Sequence, residues 1–365
     1  MSLLQQLQEQ TTLGTSFTTA TVKALLRRRQ YGPRHHNWSW TLEGIVDMMI
    51  NAVPNRAEID VHEIRTLFAR TATLPVLTPV QSKTIRLGTV PGERQVPPRM
   101  SKGRTILFFH GGGYIAGSPR SHRLLTTRIA AEAAAQLFSM DYRLAPEHPY
   151  PAALEDAQQA YRALLKQGVS PHQLVVGGDS AGAGLAIALL LALRETDVPL
   201  PAAAFCLSPL FDLSCDNAAK RANVASDYLN LHVVRCSANS YLGGADPYQP
   251  LASPLHADLQ GLPPLLLQAG STELLVDDAL QFAERAAAAN VDVQLNVAHY
   301  MIHVYQFLHQ IVPEANAAVK QIGQFVRAQT TRHPTSPTAL FEPDLAHSAP
   351  ARGSRRSRAL RARIG

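Results

Sequence analysis

The chain is 365 residues long, with a formal charge of +6, 46% apolar residues and 17% charged residues. That composition belongs to a folded globular chain rather than a disordered one, and the length suits two domains or one large α/β domain with insertions. The basic excess is local: residues 331–365 hold seven arginines against two acids, which leaves the rest of the chain at +1, so no nucleic-acid-binding body is indicated.

Met1–Gln10 is too polar for a signal peptide, and no apolar run follows Arg27-Arg28-Arg29. Amphipathic spacing predicts helices over Thr19–Arg28, Leu42–Ala52 and Val61–Ala72, joined by turn-rich links such as Tyr31-Gly32-Pro33. No strand run precedes about Val80. Beyond it, Thr105–Phe109, Ala135–Asp141, Leu174–Gly177, Ala202–Leu207, Pro264–Ala269 and Val291–Val297 read as strands. Helical stretches over Ser121–Ala133, Ala153–Lys166, Ala181–Arg194, Asp277–Asn290 and Pro313–Gln329 lie between or after them. This alternation predicts an α/β fold, with a buried, mostly parallel sheet and helices on both faces.

Residues 212–255 interrupt the pattern with turn signals at Gly243-Gly244, Asp246-Pro247 and Ser253-Pro254 and one helical stretch, Val233–Tyr241; an insertion above the sheet is expected. Residues 331–365 are rich in Pro, Ser, Ala and Arg without periodicity and are expected to be disordered. The three cysteines, Cys206, Cys215 and Cys236, fit a reducing, cytoplasmic setting better than a disulfide framework, and lack the spacing of a structural zinc site. The longest apolar stretch, Ala181–Leu193, is 13 residues and too short to span a bilayer.

Two small-residue turns carry the chemistry. Gly178-Asp179-Ser180-Ala181-Gly182 follows an apolar strand and opens an Ala-rich helix, the setting in which G-x-S-x-G presents a nucleophile. Small residues on either side permit a strained turn that lifts the Ser180 hydroxyl above the sheet, facing the N–H groups of the new helix. His110-Gly111-Gly112-Gly113-Tyr114 comes straight after the strand Thr105–Phe109. Three successive glycines cost chain entropy and suit a place where backbone N–H groups must point at developing negative charge. A phosphate loop is the competing reading, but neither GK[ST] nor G-x-G-x-x-G is present.

These turns, with the segment Asp141–Asp156 (DYRLAPEHPYPAALED) between them, resemble the hormone-sensitive-lipase-like branch of the α/β-hydrolase superfamily, the bacterial family IV carboxylesterases. His110–Tyr114 matches the HGGG motif, Gly178–Gly182 the GDSAG elbow, and Asp141–Asp156 the YRLAPEHPFPA segment; the similarity spans roughly residues 80–330. The resemblance implies an α/β-hydrolase fold with a helical cap. The cap is drawn from residues 1–75 and from the insertion at about 212–255, the catalytic domain from residues 76–330. The implied activity is that of a serine carboxylesterase acting on short- to medium-chain acyl esters.

Carried over residue by residue, the resemblance makes Ser180 the nucleophile and the N–H groups of Gly112, Gly113 and Ala181 the oxyanion donors. Asp179 then supports the elbow, while Tyr142, Arg143, Glu147 and His148 brace the loops beneath the site. The base belongs in a loop after the last strand, where His299, His303 and His309 contend. Tyr300–Tyr305 resembles the family's M-x-H-x-F/W pattern and favours His303, whereas His309 reads as part of the following helix. His299 and His303 lie four apart without an HExxH glutamate, so zinc is a poor competitor.

Relatives place the acid in D-P-L-x-D, and here Ser271–Asp278 takes its position. Laying Asp277 on the second Asp puts Glu273 on the first; Asp277 and Asp278 stay as alternatives that already have a use at a helix N-terminus. Neither metal nor cofactor is implied. The expected partner is a small-molecule ester, with no nucleic acid, no membrane span, and a homodimer left open. An amidase or deacetylase with the same residues, and a non-catalytic ligand-binding receptor, stand as alternatives.

Overall fold

The apolar runs become neighbouring strands of one sheet in the computed structural model, which describes residues 26–101, 103–220, 227–330 and 361–364. The strands are β1 (Gln81–Leu87), β2 (Val90–Val96), β3 (Thr105–Phe109), β4 (Gln136–Met140), β5 (Leu174–Asp179), β6 (Ala203–Leu207), β7 (Leu265–Gly270), β8 (Val293–Ala298) and β9 (Arg361–Ile364). Their spatial order is β1-β2-β4-β3-β5-β6-β7-β8-β9. β2 runs antiparallel to β1 and β4, and every other pairing is parallel. The mostly parallel α/β sheet is the one the alternation of elements predicts, and its arrangement is the α/β-hydrolase fold that the resemblance implies.

Side-chain alternation sorts the core into two layers. Ile106, Phe108, Val175 and Phe205 pack against α3 (Pro119–Ala133) and α9 (Pro313–Thr330) on one face. Leu107, Phe109, Val176 and Cys206 pack on the other face against α4 (Ala152–Lys166), α5 (Ala181–Glu195) and α8 (Val276–Ala288). α3 and α9 cross at Gly323, where an added Cβ would stand 2.6 Å from the Glu132 backbone.

Three expectations need correction. The hairpin β1–β2 has no counterpart among the strands read from sequence: β1 is almost wholly exposed, so no apolar run marks it. His309 ends a short 3-10 turn at Tyr305–Leu308, and the next helix starts only at Pro313. Of the tail expected to be disordered, residues 331–360 lie outside the described residues, but Arg361–Ile364 pairs in parallel with β8. The free edge of β8 offers unpaired backbone groups that an added strand can satisfy. The predicted helix Thr19–Arg28 falls mostly outside the described residues, where the chain is helical over 26–31.

The topology also places the site. From β3 the chain crosses to β4 on one side, while β5 adds on the other, so the sheet has a switch point between β3 and β5. Such a point leaves a crevice beyond the carboxyl ends of the strands. Phe109 and Gly178 are register partners there, and both glycine-rich motifs start from that pair. α1 (Trp40–Ala52) and α2 (Val61–Thr71) precede the sheet; α6 (Asp216–Lys220) and α7 (Leu231–Leu242) lie within the insertion. Among the described residues no helix is long and apolar enough to cross a membrane.

Candidate active site

Ser180 joins β5 to α5 with φ 53° and ψ −120°, a conformation that costs an L-residue about 1–3 kcal/mol. Its neighbours explain how the turn closes. A Cβ on Gly182 would sit 2.1 Å from the Phe109 carbonyl oxygen, and one on Gly178 would sit 2.3 Å from the Gly182 backbone. The strand, the elbow and the HGGG loop are therefore in backbone contact, and only glycine fits.

The HGGG loop is fixed from below and above. Asp179 Oδ1 accepts the Gly111 N–H at 3.0 Å, and its Oδ2 lies 3.4 Å from His122 Nε2. The His110 ring stacks on Tyr142, whose hydroxyl donates to the His110 carbonyl at 2.7 Å. Complete burial, with His122 nearby, drives His110 down to about 3, so the ring stays neutral. From above, Ser237 on α7 presses so close to Gly113 (φ 64°) that a Cβ there would meet its Oγ at 2.3 Å. Among the described residues no acceptor is paired with the N–H of Gly112 or Gly113.

The bracing segment behaves as a scaffold. Arg143 binds Asp156 and Glu155, and Arg65 on α2 forks onto Glu147 while also donating to the Ile115 and Ala145 carbonyls. His148 contributes a backbone N–H to the Leu144 carbonyl.

His303 Nε2 stands 3.0 Å from Ser180 Oγ. Its Nδ1 faces Glu273 Oε1 at 3.9 Å, an ion-pair separation, and neither atom has a hydrogen-bond partner among the described residues. Catalytic contacts of this kind often tighten only when substrate is bound. Burial pulls His303 down, but the carboxylates of Glu273, Asp227 and Asp179 outweigh it and hold the imidazole above its ordinary value. Glu273 is fully buried, and its Oε2 accepts from Ser208 Oγ at 2.7 Å and from the Gly270 N–H at 2.8 Å. Ser208 Oγ in turn accepts the Val304 N–H at 2.9 Å.

The other candidates point elsewhere. His299 is exposed beside Tyr300, and His309 is buried near the Gln306 carbonyl. Asp278 accepts the N–H groups of Phe211 and Asp212 on the far side of α8's first turn. Asp277, its neighbour, is only partly buried. The structure thus brings Ser180, His303 and Glu273 together, with the Gly112–Gly113 backbone across the elbow.

Four side chains around the site have no sequence signal. They are His122, Ser208, Ser237 and Asp227, and the last is buried with oxygens on the N–H groups of both His303 and Leu274. From the opposite side, Trp38 donates its indole N–H to the Tyr300 carbonyl at 2.6 Å and packs with Leu42 and Val46 against Met301, Ile302 and Tyr305. The His303 loop is thus roofed by the N-terminal segment.

Comparison with known proteins bears on the fold and the family. A family described as the alpha/beta hydrolase fold matches residues 106–307. An acetyl-hydrolase of Streptomyces hygroscopicus is 47% identical over 236 residues, covering 64% of this chain and 79% of the relative. An esterase of Acinetobacter venetianus is 36% identical over 278 residues, covering 76% and 89%. A solved esterase from the bacterial hormone-sensitive lipase family superposes with a TM-score of 0.76 at 41% identity, covering 80% of this chain and 99% of the other.

Proposed function

The chain belongs to the α/β-hydrolase superfamily and, within it, to the bacterial hormone-sensitive lipase family of esterases, and on that premise we propose that it cleaves short- to medium-chain acyl esters through an acyl-enzyme on Ser180. The observation that carries this reading is the 3.0 Å contact of His303 Nε2 with a serine hydroxyl held on a strained elbow. The name of the Streptomyces hygroscopicus relative, an acetyl-hydrolase, favours the short end of the chain-length range.

In the first half-reaction the Ser180 oxygen bonds to the ester carbonyl carbon while its proton passes to His303 Nε2. The carbonyl oxygen gains the negative charge and is met by the N–H groups of Gly112, Gly113 and Ala181. A backbone donor of this kind is worth about 10²–10³ in rate. Glu273 steadies the imidazolium, which then gives its proton to the departing alkoxide as the C–O bond breaks. Water repeats the sequence on the acyl-enzyme and frees the acid and Ser180. Glutamate holds the imidazole as aspartate does, its extra methylene accommodated by the Ser208 and Gly270 contacts. We infer a cytoplasmic setting from the three cysteines, all of them free thiols.

The test is Ser180→Ala assayed on p-nitrophenyl acetate, butyrate and caprylate. Turnover should fall by about 10⁴-fold or more, and wild-type protein alone should be labelled by a fluorophosphonate. A mutant with wild-type turnover refutes the assignment. Faster cleavage of matched anilides than of esters would make the protein an amidase instead.

A further inference from the structure

Asp227 lies in the insertion just ahead of α7, far in sequence from both the acid and the base. Its carboxylate is nonetheless buried between them. Oδ1 accepts the His303 N–H at 3.1 Å, and Oδ2 accepts the N–H of Leu274, the residue after Glu273, at 2.9 Å. One side chain therefore bridges the acid turn and the base loop. Nothing in the ester chemistry requires it, and neither of the motif-bearing turns contains it.

We propose that Asp227 is a positioning residue that clamps the Glu273 turn to the His303 loop and so ties the insertion above the sheet to the geometry of the base. This rests on His303 acting as the base of the proposed reaction. The clamp works through His303, whose main chain it holds, and Asp227 touches no reacting atom. Other bonds join the same two segments, among them Thr272 Oγ1 to the Met301 carbonyl at 2.7 Å and the Tyr300 N–H to Ser271 Oγ at 2.7 Å. Those bonds are made within the acid turn and the base loop themselves and do not involve the insertion. Among the described residues, Asp227 is the insertion side chain that brings a charge to the junction.

The charged and titratable groups facing Asp227 are His303 on the base loop, Glu273 on the acid turn and Tyr228 next to it in the chain. Burial pushes the carboxyl up to about 6, with the His303 charge and the two backbone donors opposing it and Glu273 adding to it. His303 loses its proton above the ordinary histidine value, so by then Asp227 is already charged and helps to hold that proton. An asparagine here keeps the size but not the function: its oxygen accepts one N–H, and its own NH₂ confronts the other.

The experiment is the pH profile of p-nitrophenyl butyrate hydrolysis for wild type, Asp227→Asn and Asp227→Glu, with thermal unfolding of each. For Asp227→Asn, kcat should fall about 10–100-fold, as a displaced catalytic group does. KM should stay within about threefold by the same account, since no substrate contact is lost. The acidic limb of kcat/KM should move to lower pH. Asp227→Glu, which keeps the charge, should return the limb to the wild-type position.

An Asp227→Asn protein with wild-type kcat and an unmoved limb overturns the proposal. So does one whose kcat falls only in step with its melting temperature while the limb stays in place. If Asp227→Asn does not fold, Asp227→Ser, which is smaller and uncharged, must show the same downward shift, and a wild-type limb in that variant is decisive against it. Wild-type protein that neither turns over ester nor takes a fluorophosphonate on Ser180 refutes the acyl-enzyme reading itself. Wild type that does both, beside variants identical to it, refutes only the role of Asp227.

Discussion

At the residue in position 273 the choice among three acids becomes a question of which carboxylate His303 can feel. Glu273 is the one of the three that lies within ion-pair distance of its ring, and Asp278 spends Oδ2 on the Phe211 and Asp212 N–H groups and Oδ1 on the Asn217 amide. Glu273→Gln should therefore lower kcat/KM by about 10²–10⁴-fold, the scale seen when a triad acid loses its charge. It should also shift the acidic limb downward, because Glu273 is among the charges that raise His303 against burial. Asp277→Asn should leave both near wild type; the reverse pattern in steady-state kinetics would reassign the acid. His303 and Glu273 could be singled out because each lies in a short segment that resembles a family motif. Asp227, Ser208 and His122 could not, since their partners are 47 to 96 residues away and nothing nearby in sequence marks them.

Elements were legible in proportion to their burial. The six strands read from sequence lie within two residues of β3 to β8, because a strand covered on both faces is a continuous apolar run. β1 carries Gln81, Ser82, Lys83, Thr84 and Arg86 on an exposed edge, where polar side chains discourage pairing with other chains and also hide the strand. Helix contacts were equally silent: Gly323 reads as a mild helix breaker, yet it is where α9 meets the α3 backbone. Gly323→Ala gains helix propensity of about 1 kcal/mol but forces the two backbones apart. The clash should win, lowering the melting temperature by several degrees with kcat per folded molecule unchanged. A raised melting temperature in calorimetry would mean that the crossing yields.

For the whole molecule, the groups buried around the sheet set how stability responds to pH. Burial, opposed by the Phe211 and Asp212 N–H groups and the Asn217 amide, pushes Asp278 up to about 7. Its folded value is raised, so its contribution to stability is full below about pH 3.8 and is lost as pH rises through about 7. His110, driven down to about 3, works the other way: its contribution is present above pH 6.5 and lost as pH falls toward about 3. Asp278→Asn removes the first of these. Thermal unfolding across pH 4.5–7.5, a window chosen to bracket roughly these values, should show a shallower decline for the variant than for wild type. Parallel curves would exclude Asp278 as the source. The neutral imidazole that ester cleavage needs is thus favoured where this buried acid weakens the fold.

The left-handed backbone at residue 180 has a consequence for how this enzyme can change over generations. Relaxing that one torsion would make the protein more durable, yet the proposed nucleophile is displayed only because the torsion is held. Selection for heat tolerance and selection for turnover therefore pull in opposite directions at a single codon, and gains in robustness have to be found in the helices and edges that surround it.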